Sequence, residues 1–312
     1  MTLTQLEYLV TLNKTKSFSK AAKQCHVTQP NLSMQIHKLE QELGVLLLDR
    51  SKNEVIPTKT GKVLIEKAQN ILREANGFMD YLKSEKNDLT GTYRIGIIPT
   101  LAPYLVPLFL PEFMEKYPKT RLIIEEIKTD DIIELLHQDK LDLGVAVTPL
   151  KEKKIKEIPI FMEPIYAYIS KGHALSNHKT INEEDLREHQ VWLLNHGHCF
   201  RNQALNLCKQ ISTQLDDYEF VYESGSLETL KNLVSMNHGI TLLPALAAYT
   251  NVESLEMVKK FAAPEPVREV SLIVHQNCIK DHLIKALYET IIDKIPNEYQ
   301  VKYKNNRVIH WR

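Results

Sequence analysis

Cysteine is scarce in this chain, with four in 312 residues: Cys25, Cys199, Cys208 and Cys278. That count excludes a secreted scaffold stapled by disulfides, and with 43% hydrophobic and 25% charged residues the chain can build two or three cores without one. No apolar run approaches the roughly 20 residues of a membrane-spanning helix. The start, MTLTQLEYLVTLNK, lacks the basic, apolar, small-residue order of a secretory signal. The cytoplasm is therefore the expected compartment, with no membrane partner, and a disulfide there would be conditional. Net charge is missing too, since 39 Lys and Arg balance 39 Asp and Glu. A generally basic nucleic-acid coat is excluded, although residues 1–60 hold eight basic against five acidic side chains.

What is present begins with a compact helical pattern. Leu3, Leu6 and Val10 recur at helical spacing, and Ser17-Phe18-Ser19 opens a second helix through Lys20, Ala21 and Ala22. Thr28 is placed to cap a third helix that tolerates Gln29 and Pro30 in its first turn, and Leu32, Ile36, Leu39 and Leu43 form its core stripe. Gln29, Asn31, Ser33 and Gln35 are left outward, short polar side chains suited to base edges in a major groove, or simply to water. Gly44 ends the helix, and Asp49 to Lys59 reads as a small wing whose Arg50, Lys52 and Lys59 suit phosphates. Cys25 reads as a small packing residue of the helix pair.

The run SFSKAAKQCHVTQPNLSMQIHKLEQELGVLLLDR resembles the winged helix-turn-helix of the LysR-type transcriptional regulators through its AA, VTQP, LS, QI, LE and ELGV elements. The resemblance implies a winged helix-turn-helix over residues 1–60, a dimer, and Gln29, Pro30 and Ser33 as base or backbone contacts on double-stranded DNA. The wing, SKNEVIP, departs by carrying Asn53 and Glu54. From Thr58 to Lys86 the apolar positions Val63, Ala68, Ile71, Leu72, Ala75, Met79 and Leu82 predict a long helix whose seam faces a second chain. Residues 61–90 are thus expected to be a linker and dimerisation helix that ends in a hinge at Asn87 to Gly91.

Beyond Gly91, strand-like runs (Arg94 to Ile98, Leu122 to Ile127, Leu141 to Val147) alternate with helix-like runs (Leu105 to Lys116, Asp130 to His137), a βαβ rhythm that predicts a mostly parallel sheet. A second set of strands is expected at Tyr166 to Ile169, Val191 to Leu194, Phe220 to Tyr222 and Ile240 to Leu243, before a return at Arg268 to Val274. The expected fold class is an N-terminal winged helix-turn-helix, a long linker helix and a C-terminal two-lobed α/β domain, periplasmic-binding-protein-like, over residues 91–300. Thr100 and Thr129 follow the first two strands, where a hydroxyl either faces the inter-lobe cleft or caps a helix. Residues 301–312 read as a tail past the end of the fold.

Cys199 and Cys208 lie nine residues apart in HGHCFRNQALNLC. The stretch after Cys199 reads as a helix start, and nine helical steps turn a side chain about half a turn net while rising about 13 Å. A disulfide needs Cα atoms within about 7 Å, so this pair can join only if the helix gives way. A helix N-terminus, Arg201 and a protonated His198 would each favour the Cys199 thiolate. On spacing alone both cysteines serve equally as packing residues of an amphipathic helix. A zinc site from His196, His198, Cys199 and Cys208 lacks a matching second ligand pair.

GHCFRNQALNLC is similar to the redox-switch motif of the peroxide-sensing OxyR branch of the same family, and IGIIPTLAPYLVP, SLETLKNLV, GITLLPALA and Arg268-Glu269-Val270 extend the similarity along the chain. The resemblance implies that Cys199 is the peroxidatic thiol and Cys208 the resolving one, that Thr100, Thr129 and His198 bind hydrogen peroxide, and that oxidation activates oxidative-stress genes. It further implies RNA polymerase and a glutaredoxin- or thioredoxin-type reductant as partners, self-association as dimers or tetramers, no cofactor, no metal and no enzymatic turnover. Asn202 departs from the acid usual after Arg201. The alternative is a LysR-type regulator that senses a small organic effector in the cleft, with incidental cysteines.

Overall fold

The computed structural model describes residues 1–50, 54–84, 89–186, 189, 191–207, 224–236, 239–249, 252–300 and 306–311. The chain divides into two compact units, Met1–Asn87 and Asp88–Arg312.

The first unit runs α1 (Leu3–Thr15), α2 (Phe18–Gln24), α3 (Gln29–Leu43), β1 (Leu48–Asp49), β2 (Ile56–Pro57) and α4 (Lys59–Ser84). Thr2 and Gln5 close a reciprocal capping box at the start of α1. Ser17 caps α2, whereas Thr28 takes the N-cap position of α3 without a side-chain bond. Leu6, Leu9 and Leu12 meet Ala21, Ala22, Leu32, Ile36 and Leu39, and Ile65 and Ala68 of α4 complete the core. Leu43 departs from the expected stripe: it is 38% exposed, at the last position before Gly44 turns left-handed.

Helix α4 carries two apolar stripes where the sequence suggested one seam. Ile65, Ala68 and Leu72 face the core of their own unit. Val63, Ile71 and Phe78, spaced eight and seven residues apart, are 58%, 40% and 72% exposed. The helix begins tight against the turn before β1, where a Cβ on Gly61 would lie 1.9 Å from the Leu47 carbonyl oxygen.

The second unit is built from β3 (Gly91–Ile97), α5 (Ala102–Lys116), β4 (Thr120–Glu126), α6 (Thr129–His137), β5 (Leu143–Thr148), β6 (Ile155–Ile169), β7 (Thr180–Ile181), β8 (Val191–Trp192), α7 (Cys199–Leu207), α8 (Leu227–Ser235), β9 (Ile240–Pro244), α9 (Ala245–Ala248), β10 (Val258–Phe261), β11 (Glu265–His275), α10 (Asp281–Ile292), α11 (Asn297–Gln300) and β12 (Asn306–Val308). The sheet order is β4-β3-β5-β11-β6-β10-β7, with β9 also on β6, β8 on β9, and β12 on β11. One lobe forms around β3, β4 and β5, the other around β7 to β10, and β6 runs through both, with β11 paired along its first part.

The sheet is mixed where the sequence suggested mostly parallel strands. β3 is parallel to β4 and β5, but β11 is antiparallel to β5 and β6, and β6 is antiparallel to β9 and β10. The reason is β6, fifteen residues long. Its first part pairs with β11 and its last five residues with β9, so one strand belongs to both lobes. Prolines and charges in IKEIPIFMEP hid this strand from a period-two reading. The strand expected at Phe220 to Tyr222 falls outside the described residues. Among the described residues no helix is long and apolar enough to cross a membrane.

Replacing Gly61 by Ala tests the close approach of α4. Helix propensity alone favours Ala by about 1 kcal/mol, but a methyl group so close to a backbone oxygen forces the helix start to shift, at about 1–3 kcal/mol or more. Thermal unfolding of Gly61→Ala should show a lowered midpoint for the first unit, and an unchanged or raised midpoint contradicts the packing described.

Candidate functional site

Three helix starts meet around one buried arginine. Thr100 precedes α5 after β3, Thr129 opens α6 after β4, and Cys199 opens α7. Because β3 and β4 are parallel and adjacent, the residues that follow them emerge at the same sheet edge. Arg268 reaches this edge from β11, directly opposite Glu163 in the β6 ladder. Its Nε donates to Glu163 Oε2 at 2.8 Å and its Nη2 pairs with the same oxygen at 2.7 Å. Nη1 donates to Thr100 Oγ1 at 3.0 Å and Nη2 to the Thr100 carbonyl at 3.2 Å. The Phe200 ring lies 5.4 Å from the guanidinium carbon. Both charged side chains are fully buried, a placement tolerated only when the pair is tightly matched and the remaining N–H groups are used.

The Cys199 thiol is buried within this group. Burial pushes it above the ordinary thiol range, opposed by the positive charge of Arg268, the Thr129 hydroxyl and the backbone N–H groups of Phe200 and Cys199 at the helix start. Burial wins, so the resting sulfur holds its proton, contrary to the thiolate expected from sequence. His198 does not supply the charge expected of it: burial, and then Lys128, push its imidazole downward and keep it neutral near pH 7. Arg201 donates from Nη1 to the Leu194 carbonyl at 2.8 Å. The cation that bears on the sulfur is Arg268, a residue whose role the sequence pattern alone does not assign. An arginine inside PVREVSLIV and a glutamate inside FMEPIY were the available clue, because a charge in a buried strand needs a partner.

The surroundings hold polar atoms that the fold leaves open. Thr129 Oγ1, set toward the sulfur, is buried with no hydrogen-bond partner of ordinary length, as is Asn195 Oδ1. Gly197 takes φ +90°, and Lys128 Nζ crosses it to donate to the His196 carbonyl at 3.3 Å; a Cβ at Gly197 would lie 2.9 Å from that Nζ. The lobes are bridged nearby, where Tyr104 of α5 donates to Glu228 of α8 at 2.7 Å. Burial and that carboxylate push the phenol upward, so it stays a donor.

The remaining expected site residues are distributed as follows. Cys208 and Lys52 lie outside the described residues. On α3, Gln29 and Pro30 are exposed, and Asn31, Ser33 and Gln35 half-buried. Gln29 Oε1 accepts the Ser19 hydroxyl at 2.8 Å, and Gln35 Oε1 accepts from the buried Gln5 at 3.2 Å, so Gln35 is tied inward. Arg50 pairs with the buried Glu40 at 2.7 Å and stacks over Phe18; Glu40 also accepts the Leu47 and Leu48 N–H groups. Arg50 thus fastens β1 to α3. His196 is exposed while His198 and Cys199 are buried, and among the described residues no group of three or more His, Cys, Asp or Glu is placed to hold a metal.

A thiol held above its ordinary value leaves a minor thiolate fraction at neutral pH that grows about tenfold per pH unit until the pKa is reached. Alkylation of Cys199 by iodoacetamide should therefore climb steadily from about pH 6 to about pH 9. It should be slower at every pH in Arg268→Gln. A plateau already reached at neutral pH, or an indifferent Arg268→Gln, contradicts this assignment.

Two family descriptions match the chain: a bacterial regulatory helix-turn-helix protein of the lysR family over residues 3–62, and a LysR substrate binding domain over residues 86–295. The DNA-binding transcriptional dual regulator OxyR of Escherichia coli is 36% identical over 278 residues, covering 88% of this chain and 89% of that protein. A full-length OxyR variant from Pseudomonas aeruginosa superposes with a TM-score of 0.78 at 33% identity, over 97% of this chain and 99% of that one. A hydrogen-peroxide-bound OxyR mutant from Corynebacterium glutamicum gives 0.62 at 28% identity, over 94% and 92%. With both family regions present and relatives matched nearly end to end, the chain belongs to the LysR family of bacterial regulatory helix-turn-helix proteins, in its OxyR-like branch.

Proposed function

We propose that this protein is a DNA-binding transcriptional regulator that senses hydrogen peroxide at Cys199, and that oxidation switches it to activate oxidative-stress genes. The observation that carries this reading is a buried thiol at the start of α7, under the field of Arg268 and faced by the Thr129 hydroxyl. Thr100, whose oxygen accepts from Arg268, keeps its own proton to donate; Thr129, set toward the sulfur, keeps its oxygen to accept; neutral His198 offers one donor and one acceptor nitrogen. Peroxide is small enough, and sufficiently matched as donor and acceptor, to sit among these groups.

The chemistry balances without a cofactor. The Cys199 thiolate attacks one peroxide oxygen, the O–O bond breaks, hydroxide leaves and takes up a proton, and a sulfenic acid remains. The Cys208 thiolate then attacks that sulfur, the S–S bond forms as the S–O bond breaks, and hydroxide leaves and takes up a proton to become water. Two electrons pass from the thiol pair to peroxide, once per cycle, so the chain acts stoichiometrically and not as an enzyme. A glutaredoxin- or thioredoxin-type dithiol returns the pair to thiols. Arg201, fixed on Leu194, orients the first turn of α7 rather than stabilising the sulfur directly.

In this reading residues 1–60 bind DNA, 61–90 link and dimerise, and 91–300 sense, with residues 306–311 packed into the sensing part. Gln29, Pro30, Asn31 and Ser33 meet the major groove and Lys52 meets phosphate, while Gln35 and Arg50, expected to touch DNA, are engaged by Gln5 and Glu40 and hold the reading helix and wing in place. The exposed stripe Val63, Ile71 and Phe78 receives a second copy, and pairs of dimers present reading heads to successive half-sites and to RNA polymerase in the cytoplasm. An organic effector in the cleft is disfavoured because Tyr104–Glu228 and Arg268–Thr100 contacts already span it.

The test is a promoter reporter and a free-thiol count with one equivalent of peroxide. The wild type should lose two thiols, joined as a Cys199–Cys208 crosslink by mass spectrometry, and induce the reporter. Cys199→Ser should lose neither thiol nor induce, yet keep its DNA footprint. Induction by peroxide in Cys199→Ser, or no selective loss at the pair in the wild type, overturns the reading.

A further inference from the structure

Residues 306–311 do not trail past the fold. They are built into it, across the helix that opens with Cys199. Asn306–Val308 form β12, parallel to β11 at Glu265 to Val267, on the edge that β5 leaves beyond Thr148. The Ile309 N–H donates to the Val267 carbonyl at 2.8 Å, one residue before Arg268. From there the backbone crosses α7 and accepts three side-chain amides from it. Asn202 Nδ2 donates to the Trp311 carbonyl at 3.2 Å, Gln203 Nε2 to the Ile309 carbonyl at 2.7 Å, and Asn206 Nδ2 to the His310 carbonyl at 2.8 Å. Trp311 then buries its indole, whose Nε1 donates to the Val147 carbonyl of β5 at 3.2 Å. Arg307 pairs with Glu183 at the other end.

One short segment therefore joins α7 to β11, next to the arginine that faces the thiol, and to β5 in the other lobe. Asn202, Gln203 and Asn206 lie at i, i+1 and i+4, a spacing that faces one segment only while α7 stays helical. Their three acceptors are successive backbone carbonyls, so the match is to the course of the strap and not to chance surface contacts. Gln203 is fully buried, so its donor is committed to this bond at a cost if lost.

We propose that residues 306–311 are a strap that positions α7, and that Asn202, Gln203 and Asn206 are positioning residues which hold Cys199 against Arg268 and resist unwinding of the helix. The inference rests on Cys199 as the sensing thiol. In it, the strap sets how much oxidant challenge the switch tolerates, because refolding of α7 must break all three amide bonds together.

The test compares the full chain with a chain ending at Asn305 and with the double variant Asn202→Ala/Asn206→Ala, which leaves the strap intact. Iodoacetamide alkylation of Cys199 and peroxide-driven Cys199–Cys208 closure are both followed by peptide mass spectrometry. Because burial bears on the thiol more than the Arg268 charge does, loosening α7 exposes the sulfur, so alkylation should accelerate about tenfold in the truncated chain, less in the double variant, and return toward the full-chain rate when excess synthetic peptide NRVIHWR is added. Alkylation unchanged or slowed in a double variant with wild-type circular dichroism, or acceleration that the peptide does not reverse in a folded truncated chain, overturns the strap. Should truncation unfold the sensing unit, the double variant alone decides. Absence of a Cys199–Cys208 crosslink in every protein, with strap-dependent alkylation intact, sinks the peroxide reading and leaves the strap standing.

Discussion

The buried ion pair between Arg268 and Glu163 is the constraint from which the site follows. The two residues face each other across β11 and β6, the second of which is shared by both lobes, and neither has access to water. Removing one partner from such a pair costs about 3–5 kcal/mol because the other charge is left stranded. Glu163 holds two of the guanidinium's bonds and also accepts the Leu246 N–H at 2.9 Å, while Thr100 takes two more from the guanidinium. A side chain fixed at so many points cannot follow a moving neighbour. Arg268 is a fixed positive charge, and in the proposed switch it is α7, which carries Cys199, that rearranges against it.

Charge and burial act on the thiol in opposite directions, and burial prevails. A fully ionised thiolate would react with many oxidants and electrophiles. A buried thiol kept protonated, but surrounded by groups that stabilise its anion, reacts when a small polar molecule enters and the proton can leave. His198 fits that division of labour because it is neutral, and therefore able to take a proton, rather than cationic. Selectivity of this kind depends on space and hydrogen bonding more than on a low resting pKa.

Much of the fold was legible because its signals are local. The Ser17 cap, Gly44, the apolar spacing of α1 to α3 and the βαβ alternation up to β5 are set within a few residues. The legible part of the site was equally local: Cys199 at a helix start, and threonines after strands. What escaped was non-local. β6 reads as broken by proline and charge until β11 and β9 pair along it. Arg268 acquires meaning only beside Glu163, from a strand far away in sequence. The segment 306–311 reads as a loose end because its partners, Val267, Val147 and three amides of α7, are themselves scattered. Arg50 and Gln35 show the converse: polar residues at positions suited to DNA are already engaged by Glu40 and Gln5.

In the proposed switch α7 is the element that refolds, helical over Cys199–Leu207 with its first residue near Arg268. Hydrogen–deuterium exchange over this segment, in reduced protein and after one equivalent of peroxide, tests it most directly. The account predicts protected amides from Arg201 onward before oxidation and collapse of that protection once the disulfide forms, with β11 protected in both states. Equal protection of α7 before and after oxidation contradicts it.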